Sequence, residues 1–437
     1  MSEQIDLTDY TDSDAEEGSA WVEKRLGDVF DSIYSGGTPK KGVDAYYGGN
    51  VPFVKIEDLN EQQGDGVTTA EDFITEQALD ETSTRAFDSG TLLMTIYGSL
   101  AETAIVHSRV ATNQGILGLW DADEDNVLYL RYAIDNTQPK LASLSRQTTQ
   151  ANLGKGIVKK HKIPIPPLPE QRKIATVLYT ADQAIEKTKE IIEQTHSVKN
   201  ALIQDLFHGR HKNFEDNQST PVGEIPTHWS VASIGDVVHT AQYGISESLS
   251  EEGQYPIFRM NNIENGKMVD EPLKYIDLDG DEFEKYRVEK GDILFNRTNS
   301  LELVGKTGIY ELEGDHVFAS YLVRLQTNTK ADSHYLNYYM NSSEAQNRMM
   351  DFATKGVSQA NINANSIQQV KLPLPPIEEQ KEIVDRLSSI DSQIETNEQY
   401  KSQLKRLKRG LMQDLLSGTV RTTDTNIEVP EKIAQYG

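Results

Sequence analysis

The sequence contains no cysteine among its 437 residues. This absence excludes disulfides, iron–sulfur clusters and zinc sites built from thiolates. Long apolar runs are also missing, since none approaches the roughly 20 residues that a membrane-spanning helix needs. The first twenty residues carry seven acids and no base, which is unlike a signal peptide. We therefore expect a cytoplasmic protein.

Basic residues are few relative to acidic ones. The chain has 43 Lys and Arg against 68 Asp and Glu, a formal net charge of −25. DNA-binding domains are usually basic, so this balance fits two hypotheses. Either DNA is not the partner, or the protein works in a very salty cytoplasm, where acidic surfaces are common and salt weakens phosphate-driven affinity.

Catalytic patterns are absent as well. Gly305-Lys306-Thr307 resembles the end of a phosphate-binding loop, but Ser300 stands where that loop needs its first glycine. Neither Pro166-Pro167 nor Pro375-Pro376 follows an Asn or Asp, so the tetrad of an amino-methyltransferase is missing. Glu379-Gln380-Lys381 lies in the first turn predicted for a helix, where Glu is favoured by the helix dipole. We expect no catalytic residue and no metal site in this chain.

What the sequence does contain is a duplication. Gln150-Ala151-Asn152-Leu153 recurs 209 positions later as Gln359-Ala360-Asn361-Ile362. The same offset relates two proline runs, at 164–171 and 373–380, and the segments Gln204-Asp205-Leu206 and Gln413-Asp414-Leu415. Upstream the matches continue with drifting offsets, which indicates loops of unequal length on a shared scaffold. Each half therefore consists of a variable domain followed by a fixed segment.

The fixed segments are predicted to be helices. From Glu170 to Leu206 there is no Gly or Pro, and apolar residues recur with a 3.5-residue period, as in a coiled-coil seam. The second copy keeps this period, with Lys401 and Lys408 among its polar interruptions. Identical segments in one chain most simply pair antiparallel about a pseudo-two-fold axis. The proline runs that precede them are expected to be stiff connectors.

These observations predict an α+β fold. It comprises two similar mixed α/β domains, separated by a long antiparallel two-helix coiled coil, with an internal pseudo-two-fold repeat. The predicted bounds are an acidic disordered tail (1–20), a first variable domain (21–163), a first spacer helix (164–212), a linker (213–227), a second variable domain (228–372), a second spacer helix (373–421) and a polar, disordered tail (422–437).

Several segments resemble one known family. Ser35-Gly36-Gly37-Thr38-Pro39 followed by Val51-Pro52-Phe53-Val54 resembles the opening of a target-recognition domain of a type I restriction-modification specificity subunit. The segments 291–300, 304–307, 359–363 and 372–380 are similar to later parts of that family, and 411–418 to the end of its conserved helix. The resemblance covers roughly residues 21–421, and the order of the motifs makes it specific.

The resemblance implies a non-catalytic, sequence-specific DNA-binding subunit. Each variable domain would read one half of a bipartite, asymmetric double-stranded DNA site. The helices would dock two methyltransferase subunits, with motor-nuclease subunits joining the larger complex to methylate adenine or cleave DNA in host defence. S-adenosylmethionine, ATP and magnesium would belong to those partners, and this chain would hold no cofactor.

Candidate DNA-binding residues are loop positions whose side chains suit base edges or phosphates. In the first half they are Thr38, Lys40, Lys41, Lys55, Tyr97, Ser99, Asn113, Gln114 and Lys160, the last within a basic run. In the second half they are Tyr243, Arg259, Asn261, Arg297, Thr298, Asn299 and Lys306. Because Gln150, Asn152, Gln359 and Asn361 recur in both halves, they are expected to contact a partner or brace the start of each helix.

Two alternatives stay open on the sequence. One is the specificity subunit of a related system in which a single partner chain both methylates and cleaves DNA. The other, from a different class, is a structural adaptor that carries two ligand-binding domains on a coiled coil and binds no DNA. The acidic charge favours the adaptor, whereas the unequal loops on a duplicated scaffold favour recognition.

Overall fold

The computed structural model describes residues 20–61, 66–122, 125–147, 152–212, 216–300, 303–355 and 360–436. The chain divides into two compact units. The first unit comprises the residues up to Glu190 together with those from Glu398 onward, and the second unit is Ile191–Asn397. Two 40-residue helices, the first long helix Leu168–Phe207 and the second long helix Ile377–Leu416, each contribute residues to both units.

The first unit is built on two four-stranded sheets. One is antiparallel, in the order Ser32–Ser35, Ile116–Trp120, Leu92–Thr95, Thr103–Ile105; the other is mixed, in the order Phe73–Ile74, Tyr47–Val54, Val110–Thr112, Arg85–Phe87. The central strands of the antiparallel sheet, Ile116–Trp120 and Leu92–Thr95, are almost wholly buried and rich in Leu and Ile, which suits strands covered on both faces. Its other helices are Leu26–Val29, Ile56–Glu61, Glu76–Glu81, Val127–Ser143, Lys155–Lys160 and Glu431–Ala434, with 3-10 turns at Asp44–Tyr46 and Leu144–Gln147.

The second unit repeats this plan with different detail. Its main sheet has six strands in the order Val238–Tyr243, Leu322–Thr327, Ile293–Asn296, Thr307–Ile309, Lys267–Met268, Ile263–Glu264. Two three-stranded sheets follow the orders Lys274–Ile276, Tyr255–Phe258, Val317–Phe318 and Thr298–Asn299, Ala360–Asn361, Thr354–Lys355. Its other helices are Ile234–Val237, Gly280–Tyr286, Ser333–Met340, Ser343–Met350 and Ala364–Ile367, with a 3-10 turn at Met260–Asn262.

The two long helices run antiparallel within each unit. In the first unit Glu170, at the start of the first helix, pairs with Arg421, which follows the end of the second helix. Asp182, further along the first helix, pairs with Lys408, which lies before that end. In the second unit the same relation holds for Lys199 with Asp391 and Lys212 with Glu382. The predicted seam is buried where each unit has its core, with Ile174, Leu178 and Leu415 in the first and Leu206, Ile383 and Leu387 in the second. The predicted fold class, with its internal repeat and coiled coil, is confirmed.

The start of each long helix is fixed by the same side-chain contacts in both copies. Gln171 accepts from the backbone N–H of Asn126 at 2.8 Å and donates to the carbonyl of Pro166. Gln380 accepts from Asp332 N–H at 2.8 Å and donates to the carbonyl of Pro375. The preceding residues Glu170 and Glu379 each accept from a tryptophan indole, Trp21 and Trp229 respectively. The glutamates and glutamines at this motif therefore have a structural role.

Three expectations about the segments outside the domains are wrong. The first concerns the proline runs, which are not simply stiff connectors: each run begins within a strand, Lys162–Ile165 or Lys371–Leu374, and these strands pair with Val22–Arg25 and Ser230–Ser233 respectively. These two-stranded ribbons leave each strand an unpaired edge, where proline is tolerated. Most of the expected linker is instead a hairpin, Asn217–Thr220 with Gly223–Pro226, whose Val222 and Ile225 are buried in the core of the second unit.

The third wrong expectation concerns the C-terminal segment, which was expected to be a disordered tail. Residues 422–436 are an ordered part of the first unit rather than a disordered tail, because Ile433 is fully buried in the core of that unit. The backbone N–H of Val127 donates to the carbonyl of Tyr436 at 2.8 Å. The ammonium of Lys173 donates to the carbonyls of Thr422, Thr423 and Thr425. The acidic N-terminal tail, residues 1–19, lies outside the described residues.

Candidate nucleic-acid interface

The candidate surface of the first unit begins at a glycine turn. Strand Ser32–Ser35 leads into Gly36 and Gly37, whose backbone N–H groups donate to the carbonyls of Ile116 and Thr112. A Cβ atom on Gly36 would lie 2.1 Å from Oγ1 of Thr112, so only glycine lets the two loops meet. This approach brings Thr38 beside Gln114, to whose Oε1 it donates at 2.6 Å.

Tyr97 continues this surface. Its backbone forms a bridge to Asn152, and the N–H of Leu153 donates to the carbonyl of Ile96 at 3.0 Å. The Tyr97 side chain is 40% exposed and lies next to Gly115, whose N–H donates to Oδ1 of Asn113 at 2.8 Å. Thr38, Gln114, Asn113, Tyr97 and Asn152 are therefore brought together.

The second unit has the same arrangement of backbone contacts, a glycine turn beside a strand bridge, which we call the backbone frame. The N–H of Gly244 donates to the carbonyl of Leu322, and a Cβ on this glycine would lie 2.3 Å from the carbonyl oxygen of Phe318. Thr298 pairs with Asn361 as Tyr97 does with Asn152. The N–H of Ile362 donates to the carbonyl of Arg297 at 2.9 Å, which repeats the contact of Leu153.

The side chains on this second frame form a different set of contacts. The guanidinium carbon of Arg297 lies 4.8 Å from the ring centroid of Tyr243. Its Nη2 donates to Oδ1 of Asn361 at 3.3 Å, and Nδ2 of Asn361 donates to Oγ1 of Thr298 at 2.6 Å. Tyr243 is 41% exposed, and its hydroxyl accepts from the N–H of Ala364 at 2.9 Å. Four predicted residues thus form one braced group.

An open cleft of about 910 Å³ adjoins this group. Arg259 and Asn261 line it together with Ser320 and Tyr321, and Nη1 of Arg297 reaches the carbonyl of Ser320. The N–H of Arg259 donates to Oδ1 of the buried Asn262 at 3.0 Å. In the first unit the N–H of Lys55 donates in the same way to Asp58, at 2.7 Å, so Arg259 and Lys55 occupy equivalent positions.

The remaining predicted residues are less closely joined. Lys55 is paired with Asp72, and this hydrogen bond raises the pKa of the Lys55 ammonium. The carbonyl of Ser99 accepts from the hydroxyl of Thr95, and Oδ1 of Asn299 accepts from the N–H of Ser300. Four lysines are exposed outside the contacts described above: Lys40, Lys41, Lys160 and Lys306. Gln150 and Gln359 lie outside the described residues.

The structure also brings together a group that the sequence did not indicate. Arg85 and Lys155 both lie over the ring of Tyr34, with their charged groups 4.3 and 4.4 Å from its centroid. Trp120 lies on the same ring at 5.2 Å between centroids. No local pattern connects positions 34, 85, 120 and 155, so only the folded sheets make this group visible.

Nothing in the described part of the chain suggests a metal or membrane site. Among these residues, no cluster of three or more His, Asp or Glu side chains is placed to hold a metal ion. None of the described helices combines the length and apolar character needed to cross a membrane.

Comparison with known proteins gives one consistent family. The family model described as "Type I restriction modification DNA specificity domain" matches residues 18–195 and again 226–406. The MjaVIII specificity subunit of Methanocaldococcus jannaschii is 26% identical over 425 residues, 93% of this chain and 94% of the relative. The EcoKI specificity subunit of Escherichia coli is 26% identical over 310 residues, 68% of this chain and 65% of the relative.

The fold also matches a solved structure. The S subunit of a type I restriction-modification system from M. genitalium aligns with a TM-score of 0.55 at 15% identity, over 92% of this chain and 98% of that one. At this identity the likeness concerns the fold alone.

Proposed function

The chain belongs to the type I restriction-modification DNA specificity family and is a non-catalytic specificity subunit; from this premise we propose that it recognises a bipartite, asymmetric double-stranded DNA site. Each unit reads one half of that site. Recognition directs adenine methylation or DNA cleavage by partner subunits.

One observation carries this proposal: the two units share a backbone frame but present different side chains on it. Tyr97 and Thr298 occupy equivalent bridge positions, opposite Asn152 and Asn361. An unchanged frame keeps the reading surface in place, while the exchanged side chains give each unit its own sequence preference. Because the side chains on the two surfaces differ, we expect the two halves of the DNA site to differ in sequence, which makes the site asymmetric.

The chemistry of the two surfaces supports base reading. Arg259 faces an open cleft, and arginine pairs with the O6 and N7 atoms of guanine. Asn113 and Gln114 carry amides, which suit adenine, and Thr38, Thr298 and the exposed tyrosines suit phosphates. These side chains and Arg297 are our candidates for direct contacts, and the exposed lysines are candidates for the flanking backbone.

Catalysis on the bound DNA belongs to partners in this proposal. Two methyltransferase subunits dock on the long helices, and motor-nuclease subunits join the larger complex. S-adenosylmethionine, ATP and magnesium are bound by those partners. The identity of the neighbouring genes would distinguish this assembly from a related system in which one partner chain both methylates and cleaves DNA.

The test is to co-express the chain with its methyltransferase partner and map methylated adenines in the genome. We expect one split motif with two unlike halves. Replacing residues 21–163 with the corresponding domain of a relative should change one half and leave the other intact. Absence of any new methylation, with a stable complex, would favour the adaptor hypothesis instead.

A further inference from the structure

A cationic aromatic cluster lies on the surface of the first unit, and we define it as Tyr34, Arg85 and Lys155. Tyr34 is 41% exposed, and both basic side chains are exposed as well. The guanidinium and the ammonium approach the same ring, so the two charges are no more than about 9 Å apart. Cations over a tyrosine face gain electrostatic attraction from the ring, which holds them in place.

The cluster adjoins the candidate interface. Tyr34 lies two residues before the Gly36 turn, and Lys155 lies three residues after Asn152. Arg85 pairs with Thr112, the residue against which Gly36 packs. A duplex contacting Thr38, Gln114 and Tyr97 would therefore extend toward this cluster.

The cluster is also positive in a strongly acidic chain. Several other basic residues of the first unit have acidic partners, as Lys55 has Asp72 and Arg109 has Glu76. Partial burial lowers the pKa of the Lys155 ammonium, and the nearby charges of Lys159 and Arg85 lower it further. Like charges gathered without an acid between them are stabilised by an external anion.

We propose that the cluster binds the phosphodiester backbone of duplex DNA beside the half-site read by the first unit. The inference rests on the proposed function and assigns a contact surface within it. The cations are at most about 9 Å apart, which corresponds to fewer than three backbone steps at about 3.4 Å of axis each, so the two face neighbouring phosphates of one strand.

The second unit has no such cluster at the equivalent place. Gln242 stands where the first unit has Tyr34, and it accepts from Arg324 and donates to the carbonyl of Lys285. Ala364 stands where the first unit has Lys155, and it donates its N–H to Tyr243. At this position the first unit therefore offers two cations to DNA that the second unit does not.

The experiment compares full-length variants by the salt dependence of DNA affinity. Arg85→Gln with Lys155→Gln removes two charges, and Lys187→Gln with Lys189→Gln removes two exposed charges from the first long helix of the same unit as a matched control. Binding of a random-sequence labelled duplex is measured over a range of KCl concentrations. The slope of log K against log salt should become less negative by about 1.8 in the first variant, at about 0.9 per phosphate. It should stay unchanged in the control.

Two further variants test whether the Tyr34 ring itself contributes to DNA affinity. Tyr34→Ala should reduce affinity because it removes the ring that orders both cations, whereas Tyr34→Phe should bind as the unaltered chain does. Thermal unfolding of each variant checks that the first unit stays folded, and Lys155→Gln alone, with an expected slope change of about 0.9, serves if the double variant unfolds.

The outcomes are distinguishable. An unaltered slope in the Arg85→Gln, Lys155→Gln variant, or an equal change in the control, would overturn the cluster's role while leaving the proposed function in place. Failure of the unaltered chain with its methyltransferase partner to bind duplex DNA would overturn both.

Discussion

Each unit has one polar triad where the two long helices meet, and the triad of the second unit gives a quantitative prediction of stability. In the second unit Nζ of Lys199 lies 2.5 Å from Oδ1 of Asp391, and the hydroxyl of Tyr338 donates to Oδ2 at 2.7 Å. In the first unit Lys408, Asp182 and Tyr132 form the same triad. Burial raises the pKa of Tyr338, so its hydroxyl stays protonated and keeps donating.

We expect Asp391→Ala to destabilise the second unit by about 2–3 kcal/mol. It leaves an ammonium that is only 16% exposed without its acid, and breaking a fully buried pair costs about 3–5 kcal/mol. Replacing both charges, Lys199→Met with Asp391→Leu, should recover part of this loss, because no charge is left unpaired although the Tyr338 hydroxyl still lacks its acceptor. Tyr338→Phe, which removes one hydrogen bond, should cost about 1 kcal/mol.

The assay is urea unfolding followed by tryptophan fluorescence. Trp229 is buried in the second unit, so replacing Trp21 and Trp120 with Phe confines the signal to it. The control is Glu378→Ala, which breaks an exposed pair with Lys381 on the same helix and should cost less than about 0.5 kcal/mol. If Asp391→Ala costs no more than the control, or the double replacement recovers nothing, the triad does not stabilise the helix pair.

Four other predictions follow. Ile433→Ala should destabilise the first unit by about 2–5 kcal/mol, since this fully buried side chain fills its core; chemical unfolding measures the loss, and a change below about 1 kcal/mol would contradict the packing described. Arg297→Ala should weaken DNA binding by about 1–3 kcal/mol and relax specificity at one position of one half-site; uniform weakening in a binding assay across sequences would instead indicate a bracing or phosphate contact. The purified chain alone should neither methylate nor cleave DNA, and turnover free of partners would refute this. Inserting four residues after Glu190 and after Asn397 adds about 6 Å to each helix, which should lengthen the preferred gap between half-sites by about two base pairs; methylation mapping would contradict the helices' role as spacers if the gap stayed the same in an active complex.

The repeated parts of the fold could be predicted from the sequence because their signals are local. The 3.5-residue period predicts helices close to the observed Leu168–Phe207 and Ile377–Leu416. The apolar runs after Gly90 and Gly291 are the strands Leu92–Thr95 and Ile293–Asn296.

Features that depend on distant partners could not be predicted. Residues 422–436 look polar in isolation, and they are ordered because Ile433 meets a core made by earlier parts of the chain and because Val127 and Lys173 donate to their backbone carbonyls. The bracing of Arg297 by Tyr243 and Asn361 joins residues 54 and 64 positions apart. The cluster at Tyr34 has the same origin, since sheet pairing rather than sequence spacing sets which loops meet.

The order in which the chain is synthesised bears on its assembly. The second unit is one continuous stretch, Ile191–Asn397, so all of its residues have been translated before the first unit has its last ones. The first unit needs Leu415, Leu416 and Ile433 for its core, and these are synthesised only after the whole second unit. Because domains generally fold as units during translation, from the N-terminus onward, this chain reverses the usual sequence. Its N-terminal domain emerges first and is completed last, and a nascent chain stalled before residue 398 carries one finished unit and one that still exposes part of its core.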